Sequence, residues 1–442
     1  MIQIYAVGGY NEVGKNCTAI NVDGEVLIID LGIHLENYIK LTQDEDLVKI
    51  DADKLMDVGA VPNISVLDKI NKNVKAVIIS HAHLDHVGAV PYIADKFNAP
   101  VICAPYTAEV IQSILNDEGI KLKNDIKTVN INSRYKISDK IEIEFIHITH
   151  SIPQSALVAV HTKYGVIIYA NDFKLDLHPT LGKKPNFKRM EEISRENVLA
   201  LIVESTYASD QRKTPSEQVA KEMLRDVLLG TDNKDNLIIV TTFSSHMARL
   251  KSIIEFGKKL NRKILFLGRS LSKYVKAAEN IGIVNFSNDV EMIKYSGQIE
   301  RRLKKIDKDR KKYLLVTTGH QGEPKSVLYK IAKGVFKFDL HAEDNVIFSC
   351  RTIPTPTNIA NREVLENELK LFGVRIFKDI HQSGHAARED LRDFINLIKP
   401  RNIIPAHGTK EMKDSLAELA VEMGYKIDQN VFLIRNGQKI DL

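Results

Sequence analysis

Four side chains of metal-ligand type fall within six positions, in the segment His81-Ala82-His83-Leu84-Asp85-His86. Imidazole and carboxylate are groups that zinc accepts, at about 2.0–2.2 Å. His81 and His83 are two apart, so in extended chain they point to the same side and can grip one cation. Asp85 and His86 come after the backbone has begun to turn, so they aim at a neighbouring point. That geometry suits two divalent ions side by side. The bland alternative is an exposed histidine-rich loop, which does not call for four ligand types at one place.

The segment follows the run Val74-Lys75-Ala76-Val77-Ile78-Ile79-Ser80, whose length and β-branched content read as a buried strand. It precedes residues 87–94, which read as the start of a helix. Other ligand types also sit where predicted strands give out. A strand over 141–148 ends in Thr149-His150-Ser151, and a hairpin of 156–161 and 166–170 ends in Asn171-Asp172-Phe173-Lys174. A strand over 199–203 ends in Glu204, one over 375–380 in His381-Gln382-Ser383-Gly384-His385-Ala386, and one over 402–404 in Pro405-Ala406-His407. A lone histidine at a strand end is more often structural, but several such ends argue for a shared rim. Asp30, after a strand over 26–29, reads equally as a turn former and as a partner orienting a metal-bound histidine. Glu204 reads as a capping or hairpin carboxylate, or as a partner of the site. The stretch Gly8-Gly9-Tyr10-Asn11-Glu12-Val13-Gly14-Lys15-Asn16 is glycine-rich, yet it lacks the strand–loop–helix context of a nucleotide fingerprint.

The chain has 442 residues, a length that allows two to three domains. Hydrophobic residues make up 44% and charged residues 27%, the balance of a soluble globular protein. The net charge of +5 is too mild to demand a polyanionic partner, but permits one if the excess gathers in a cleft. Three scattered cysteines, Cys17, Cys103 and Cys350, argue against a disulfide framework. The first residues read as a strand rather than a signal peptide, and no apolar stretch is long enough to span a bilayer. The expectation is a cytoplasmic protein with no membrane association. From about residue 208 to 349, strands alternate with helices over 216–229 and 246–259, which reads as an inserted parallel α/β domain. The mixed charged run over 300–312 reads as a solvated helix face.

His81-x-His83-x-Asp85-His86, His150, Asp172 and His407, in that order, resemble the ligand motifs of the metallo-β-lactamase fold, and Asp30 matches its first motif. The large insertion before His407 resembles the β-CASP domain of nucleic-acid nucleases in that superfamily. Glu204, His385 and His407 fall where that group carries its acidic motif and its two further motifs, and a histidine at the last of these points to RNA. Within the group the chain resembles the ribonuclease J family, through residues 8–16, Thr318-Gly319-His320-Gln321-Gly322-Glu323-Pro324 and Ser383-Gly384-His385-Ala386. The few residues after about 425 resemble the shorter archaeal form. The implied fold is a metallo-β-lactamase αββα sandwich over 1–207 and 351–442, with a β-CASP parallel-sheet α/β domain over 208–350.

By this resemblance His81, His83 and His150 hold one metal, Asp85, His86 and His407 hold the other, and Asp172 bridges them. The ions expected are zinc, with manganese or magnesium as alternatives. Two divalent ions about 3.5–4 Å apart suit phosphodiester hydrolysis. Asp85, His385 and Glu204 are the expected catalytic groups, with His385 placed to protonate the leaving oxygen. Ser244, Ser245, His246, Ser383, Gly384 and His385 stand before helices and are expected to cradle a 5′-monophosphate; the alternative is that the serines are N-caps. Lys174, Arg249 and Arg351 are candidates for backbone contact. The expected activity is 5′→3′ exonucleolytic cleavage of single-stranded RNA to mononucleotides. An RNA endonuclease of the polyadenylation-factor type, or an inactive RNA-binding subunit, stands as the alternative, and a homodimer is left open.

Overall fold

The structure, a computed structural model, describes residues 1–44 and 51–442. They gather into two compact units: Met1–Leu175 with Lys184–Thr214 and Gly384–Leu442, and Asp176–Lys183 with Pro215–Ser383.

The first unit is built on two sheets. Short runs with every second residue apolar make its leading strands: in Ile2–Gly8, Ile2, Ile4 and Ala6 are buried while Gln3 and Tyr5 are partly exposed. The first sheet runs Lys439–Asp441, Ile2–Gly8, Cys17–Val22, Glu25–Ile29, Val74–Ile79, Val101–Cys103, Ile126–Thr128. Pairing is antiparallel up to Glu25–Ile29 and parallel beyond it. The second sheet runs Asn402–Ala406, Val198–Glu204, Gly165–Ala170, Ala156–Thr162, Glu142–His147, Ser133–Lys136, and its first three strands are parallel. Ile4, Ile20, Leu27 and Ile78 of the first sheet meet Phe145, Val158, Ile167, Ile202 and Ile404 of the second in one core. Burying each such side chain contributes about 1.5–3 kcal/mol. Helices Phe187–Ile193, Arg388–Ile398 and Lys410–Glu422 cover the other face of the second sheet. Helix Pro105–Glu118 buries Tyr106, Val110, Ile111, Ile114 and Leu115. This is the αββα sandwich.

The expected helix after the histidine segment is two short ones, Leu84–Val87 and Val90–Ile93. Pro91 lacks the N–H an interior helical position needs, so it opens a new helix rather than continuing the old one.

The second unit carries a six-stranded, wholly parallel sheet: Val290–Ile293, Lys263–Leu267, Tyr313–Thr317, Ile238–Thr241, Asn345–Phe348, Arg375–Phe377. Its central strands are apolar at nearly every position because both faces are covered. The last strand stops at Phe377, short of the expected 380; Asp379 adopts a left-handed φ of 59° that ends the extended run. The charged run is only partly a solvated face. Helix Ser296–Ile306 buries Ile299, Leu303 and Ile306, and Arg310 is buried against Asp344 at 2.8 Å. Among the described residues no helix is long and apolar enough to cross a membrane.

A buried charge cluster ties the second sheet of the first unit to helix Phe187–Ile193. Glu144 accepts from Arg189 at 2.7 and 3.0 Å, from His161 at 3.0 Å and from Arg134 at 3.2 Å. Burial alone would raise the Glu144 carboxyl, but His161, Arg189 and Arg134 outweigh it and hold the group at about 2. The folded value lies below the unfolded one of about 4.3, so the stabilisation is complete above that pH and is lost as pH falls toward 2. Allowing for solvent at Arg134, Glu144→Gln is expected to cost about 2 kcal/mol at pH 7. Urea unfolding of parent and variant at pH 7, 5 and 3.5 checks this: the gap should narrow at the lowest pH, and a constant gap would refute it.

Candidate metal centre

The strand ends of the first unit converge. Ile79 leads into Ser80 and His81, and His83 starts the short helix Leu84–Val87 that carries Asp85 and His86. His150 follows Glu142–His147, Asp172 follows Gly165–Ala170, and His407 follows Asn402–Ala406. Crevices beyond the carboxyl ends of parallel strands are where α/β folds place their chemistry. At Asp30, Asp172 and His407 the backbone is left-handed, with φ of 62°, 61° and 49°. Each costs about 1–2 kcal/mol that glycine would avoid, so the side chain is what keeps the residue there.

Two ligand groups share one carboxylate. His81, His83, His150 and Asp172 offer atoms all within 4.8 Å of one another, and so do Asp85, His86, Asp172 and His407. Asp172 Oδ2 lies 3.5 Å from His81 Nε2, 3.2 Å from His86 Nε2 and 3.7 Å from His150 Nε2; its Oδ1 lies 3.2 Å from His407 Nε2. Asp85 Oδ2 is 3.5 Å from His86 Nε2 and 3.7 Å from His407 Nε2. The donor set fits divalent metal. His81 Nε2 and Asp172 Oδ1 are buried and make no hydrogen bond among the described residues, an arrangement that costs free energy unless a cation takes the lone pairs.

Orienting contacts fix which ring nitrogen faces inward. The Asp30 carboxylate accepts from Ser80 N at 2.7 Å, from Ser80 Oγ at 2.8 Å and from His86 Nδ1 at 2.7 Å. The choice left open for Asp30 is thereby resolved toward an orienting partner. His150 Nδ1 donates to the Gly384 carbonyl at 2.7 Å. In both rings this leaves the Nε2 lone pair toward the cluster.

Burial, joined by neighbouring imidazoles, holds His81, His83 and His150 below the ordinary histidine range. For Asp172 burial opposes the charge, but His407, His86 and His385 outweigh it and keep the carboxyl well below its usual range. For His86 burial is likewise outweighed, here by Asp172, Asp85 and Asp30, and its proton affinity rises.

Beside the cluster stands a carboxylate–imidazole pair. Glu204, fully buried at the end of its strand, accepts from His385 Nδ1 at 2.7 Å and from Phe173 N at 2.8 Å. Burial would lower His385, but Glu204 and Asp172 overcome it and hold the ring at about 10. The Tyr207 ring stacks on His385 at 5.8 Å. Asp172, Glu204 and His385 form a third group of atoms within 4.8 Å.

The expected substrate residues divide. Gly384 and His385 belong to the first unit, whereas Ser244, Ser245, His246 and Ser383 belong to the second. The N-cap position of helix Met247–Lys259 is held by His246, and Ser244 Oγ is 2.9 Å from Ser270 Oγ. Gly384 does not open a helix directly, because the next one starts at Arg388. Lys174 and Arg249 are not surface contacts for a backbone. Lys174 is buried, and Arg249 is fully enclosed, with its guanidinium paired to Glu217 at 2.6 and 2.8 Å and donating to the Ser349 carbonyl at 2.8 Å. Arg351 is exposed.

The residues the strand-end pattern misses are Asn16, Ser80 and Tyr207. Asn16 closes the glycine-rich loop and touches both His86 and His407. Amides and hydroxyls carry no ligand signature, so only a loop running into a buried strand marked the position.

Three family models match the chain: the metallo-β-lactamase superfamily over residues 10–177, the ribonuclease J β-CASP domain over 235–367, and a Zn-dependent metallo-hydrolase RNA specificity domain over 374–431. The chain is 43% identical over 439 residues to ribonuclease J of Methanocaldococcus jannaschii, covering 99% of this chain and 98% of that one. The chain belongs to the ribonuclease J family. Ribonuclease J of Pyrococcus abyssi is 40% identical over 444 residues, covering 100% and 97% of the two chains, and ribonuclease J 1 of Streptococcus pyogenes is 30% identical over 447 residues, covering 100% and 74%. A solved protein of unknown function from Enterococcus faecalis V583 shares the fold, with a TM-score of 0.68 over 100% of both chains at 18% identity. Membership of the metallo-β-lactamase superfamily implies divalent metal ions.

If Asp172 is the shared ligand, Asp172→Asn should lower bound metal from about two ions per chain to about one or fewer. Elemental analysis of gel-filtered protein measures this. Retention of the parental content would remove Asp172 from the ligand set.

Proposed function

We propose that this ribonuclease J family member is a metal-dependent 5′→3′ exoribonuclease that prefers 5′-monophosphorylated single-stranded RNA and releases mononucleotides. The observation that carries the hydrolytic part is the sharing of Asp172 between two ligand groups, with the Glu204–His385 pair alongside. His81, His83 and His150 would hold one ion and Asp85, His86 and His407 the other. An imidazole-rich donor set favours zinc over magnesium, which prefers oxygen ligands. When bound, such a pair of ions supplies an activated water at neutral pH and neutralises charge on a phosphodiester.

The chain's own groups do the rest. Asp30 and the Gly384 carbonyl hold two ligand rings in the tautomer that presents Nε2. Glu204 accepts from His385 Nδ1–H and holds that proton in place, so the Nε2–H is the one His385 gives to the departing 3′ oxygen. The Tyr207 ring limits rotation of that imidazole. Asp85 serves as ligand and as acceptor for a proton of the attacking water.

Recognition of the 5′-monophosphate is assigned to Ser244, Ser245, His246, Ser383, Gly384 and His385. Ser244, Ser245 and His246 lead into the N-terminus of helix Met247–Lys259, where N–H groups point outward and favour an anion. Ser383 continues directly into Gly384 and His385, which links an end-binding residue to the proton donor by two peptide bonds. The names of the relatives and the RNA specificity model agree with RNA as substrate.

One RNA, labelled at a 5′ monophosphate, triphosphate or hydroxyl, tests the reading in a time course. Labelled mononucleotide should appear from the monophosphate at least about tenfold faster than from the other two. Internal fragments, indifferent to the end group, would assign an endonuclease instead. His385→Ala should lower kcat by about 10²–10⁴-fold with metal content unchanged, and an unchanged kcat would exclude proton donation by His385.

A further inference from the structure

The glycine-rich loop of residues 8–16 takes no part in the ligand set, yet it delivers one side chain, Asn16, into the metal centre. Asn16 is 1% exposed and all its polar atoms are engaged. Its backbone N–H donates to the Asp85 carbonyl at 3.0 Å, and its own carbonyl accepts from Gly32 N at 3.0 Å. Its side-chain Nδ2 donates to the same Asp85 carbonyl at 3.0 Å and lies 3.0 Å from His86 Nε2. Its Oδ1 lies 2.8 Å from His407 Nδ1.

These contacts determine the orientation of the amide and then the tautomer of the ring. A backbone carbonyl only accepts, so the amide edge facing Asp85 must be the NH₂. The edge facing His407 is therefore the oxygen, which also only accepts. His407 Nδ1 must carry its proton, and the Nε2 lone pair is left facing Asp172 and Asp85. On the opposite side the Asp30 carboxylate accepts from His86 Nδ1, so in the neutral ring Nε2 carries the lone pair; it lies 3.0 Å from Asn16 Nδ2, a contact that a bound ion would replace.

The loop is shaped to this purpose. Gly9 has a φ of +84°, and a Cβ there would sit 2.5 Å from Asn16 Oδ1. A Cβ on Gly32 would lie 1.6 Å from the Asp85 carbonyl oxygen and 2.8 Å from Asn16 N. Both glycines are where the backbone must approach Asn16 and Asp85 closely.

We propose that Asn16 is a positioning residue for the Asp85–His86–His407 metal site alone, acting by fixing His407 in the Nδ1–H tautomer, while the His81–His83–His150 site is independent of it. This rests on the two-ion reading above. Hydrogen-bond partners of metal-binding histidines typically contribute 10–100-fold to metal affinity.

Chelated protein titrated with Co(II), followed by its visible absorbance, reads the two sites without any assay of activity. The parent should take up two Co(II) per chain. In Asn16→Ala the first equivalent should bind as in the parent and the second about 10–100-fold more weakly. Two sites of parental affinity in Asn16→Ala, or an equal loss at both, would overturn the proposal. A second measurement does not depend on the variant folding. In the unaltered, metal-free protein labelled with ¹⁵N-histidine, the His407 ring, assigned by its loss in His407→Ala, should show a proton on Nδ1. An Nδ1 without a proton would overturn the proposal. A parent that binds one Co(II) would instead overturn the two-ion reading, and the His407 tautomer would still decide the role of Asn16.

Discussion

Five imidazoles stand within 4.0 Å of the carboxylate of Asp172, a residue only 2% exposed. The fold has to meet that constraint before it can do anything else. Packing so many polar rings around one buried charge, away from water, is unfavourable unless the lone pairs have a common electrophile. The surrounding elements read as the means of holding this arrangement. Strands of two sheets bring their carboxyl ends to one place: the end of Val74–Ile79 hands over four ligand-type residues, and the ends before His150, Asp172 and His407 hand over one each. A shared core of Ile, Leu, Val and Phe side chains between the sheets sets the distance between those ends. Interiors are packed like organic crystals, so the spacing is not free to drift.

Around the ligands lies a layer of groups that carry no ligand chemistry themselves. Asp30, Ser80, Asn16 and the Gly384 carbonyl between them account for one nitrogen on each of His81, His86, His150 and His407. Each ring has two chemically similar nitrogens, so a strand end can deliver an imidazole and still leave the wrong atom facing inward. The hydrogen bond on the far side removes that ambiguity. Backbone strain at Asp30, Asp172 and His407 belongs to the same account, since the left-handed turn is what swings a side chain back over the strand it follows.

This separates what the sequence could reveal from what it could not. Strands announce themselves by length and β-branched content, and ligands by residue type. His81, His83, Asp85, His86, His150, Asp172 and His407 all stood at predicted strand ends, and the αββα sandwich with its inserted parallel sheet was legible through them. Contacts between residues far apart in the chain were not. Asn16 and His407 are 391 positions apart, and nothing in either local segment names the other. Arg249 misled for the opposite reason: a basic residue near a helix start looks like a phosphate contact, but its carboxylate partner, Glu217, lies one helix earlier and claims it. The N-cap of the helix that follows Ser244 and Ser245 is His246, a position that residue type does not mark, because capping positions usually carry a hydroxyl or a short amide or carboxylate.

The Glu204–His385 pair shows how a carboxylate–imidazole couple is fastened beside the Asp172 cluster. Glu204 is fixed twice, by the Phe173 N–H on one oxygen and by His385 on the other. Phe173 is the residue after Asp172. The same turn that presents the shared carboxylate to the ligand rings therefore also locks the carboxylate that orients His385. Moving Asp172 would move Phe173, and with it Glu204 and the imidazole. His385 in turn follows Gly384, whose carbonyl orients His150. The imidazole cluster and the Glu204–His385 pair are thus joined through two pairs of adjacent residues, 172–173 and 384–385, each with one member touching the cluster and one belonging to or touching the pair. A rigid link of this kind holds the pair and the cluster in one register, which a loop-borne histidine tethered only by its own backbone would not achieve.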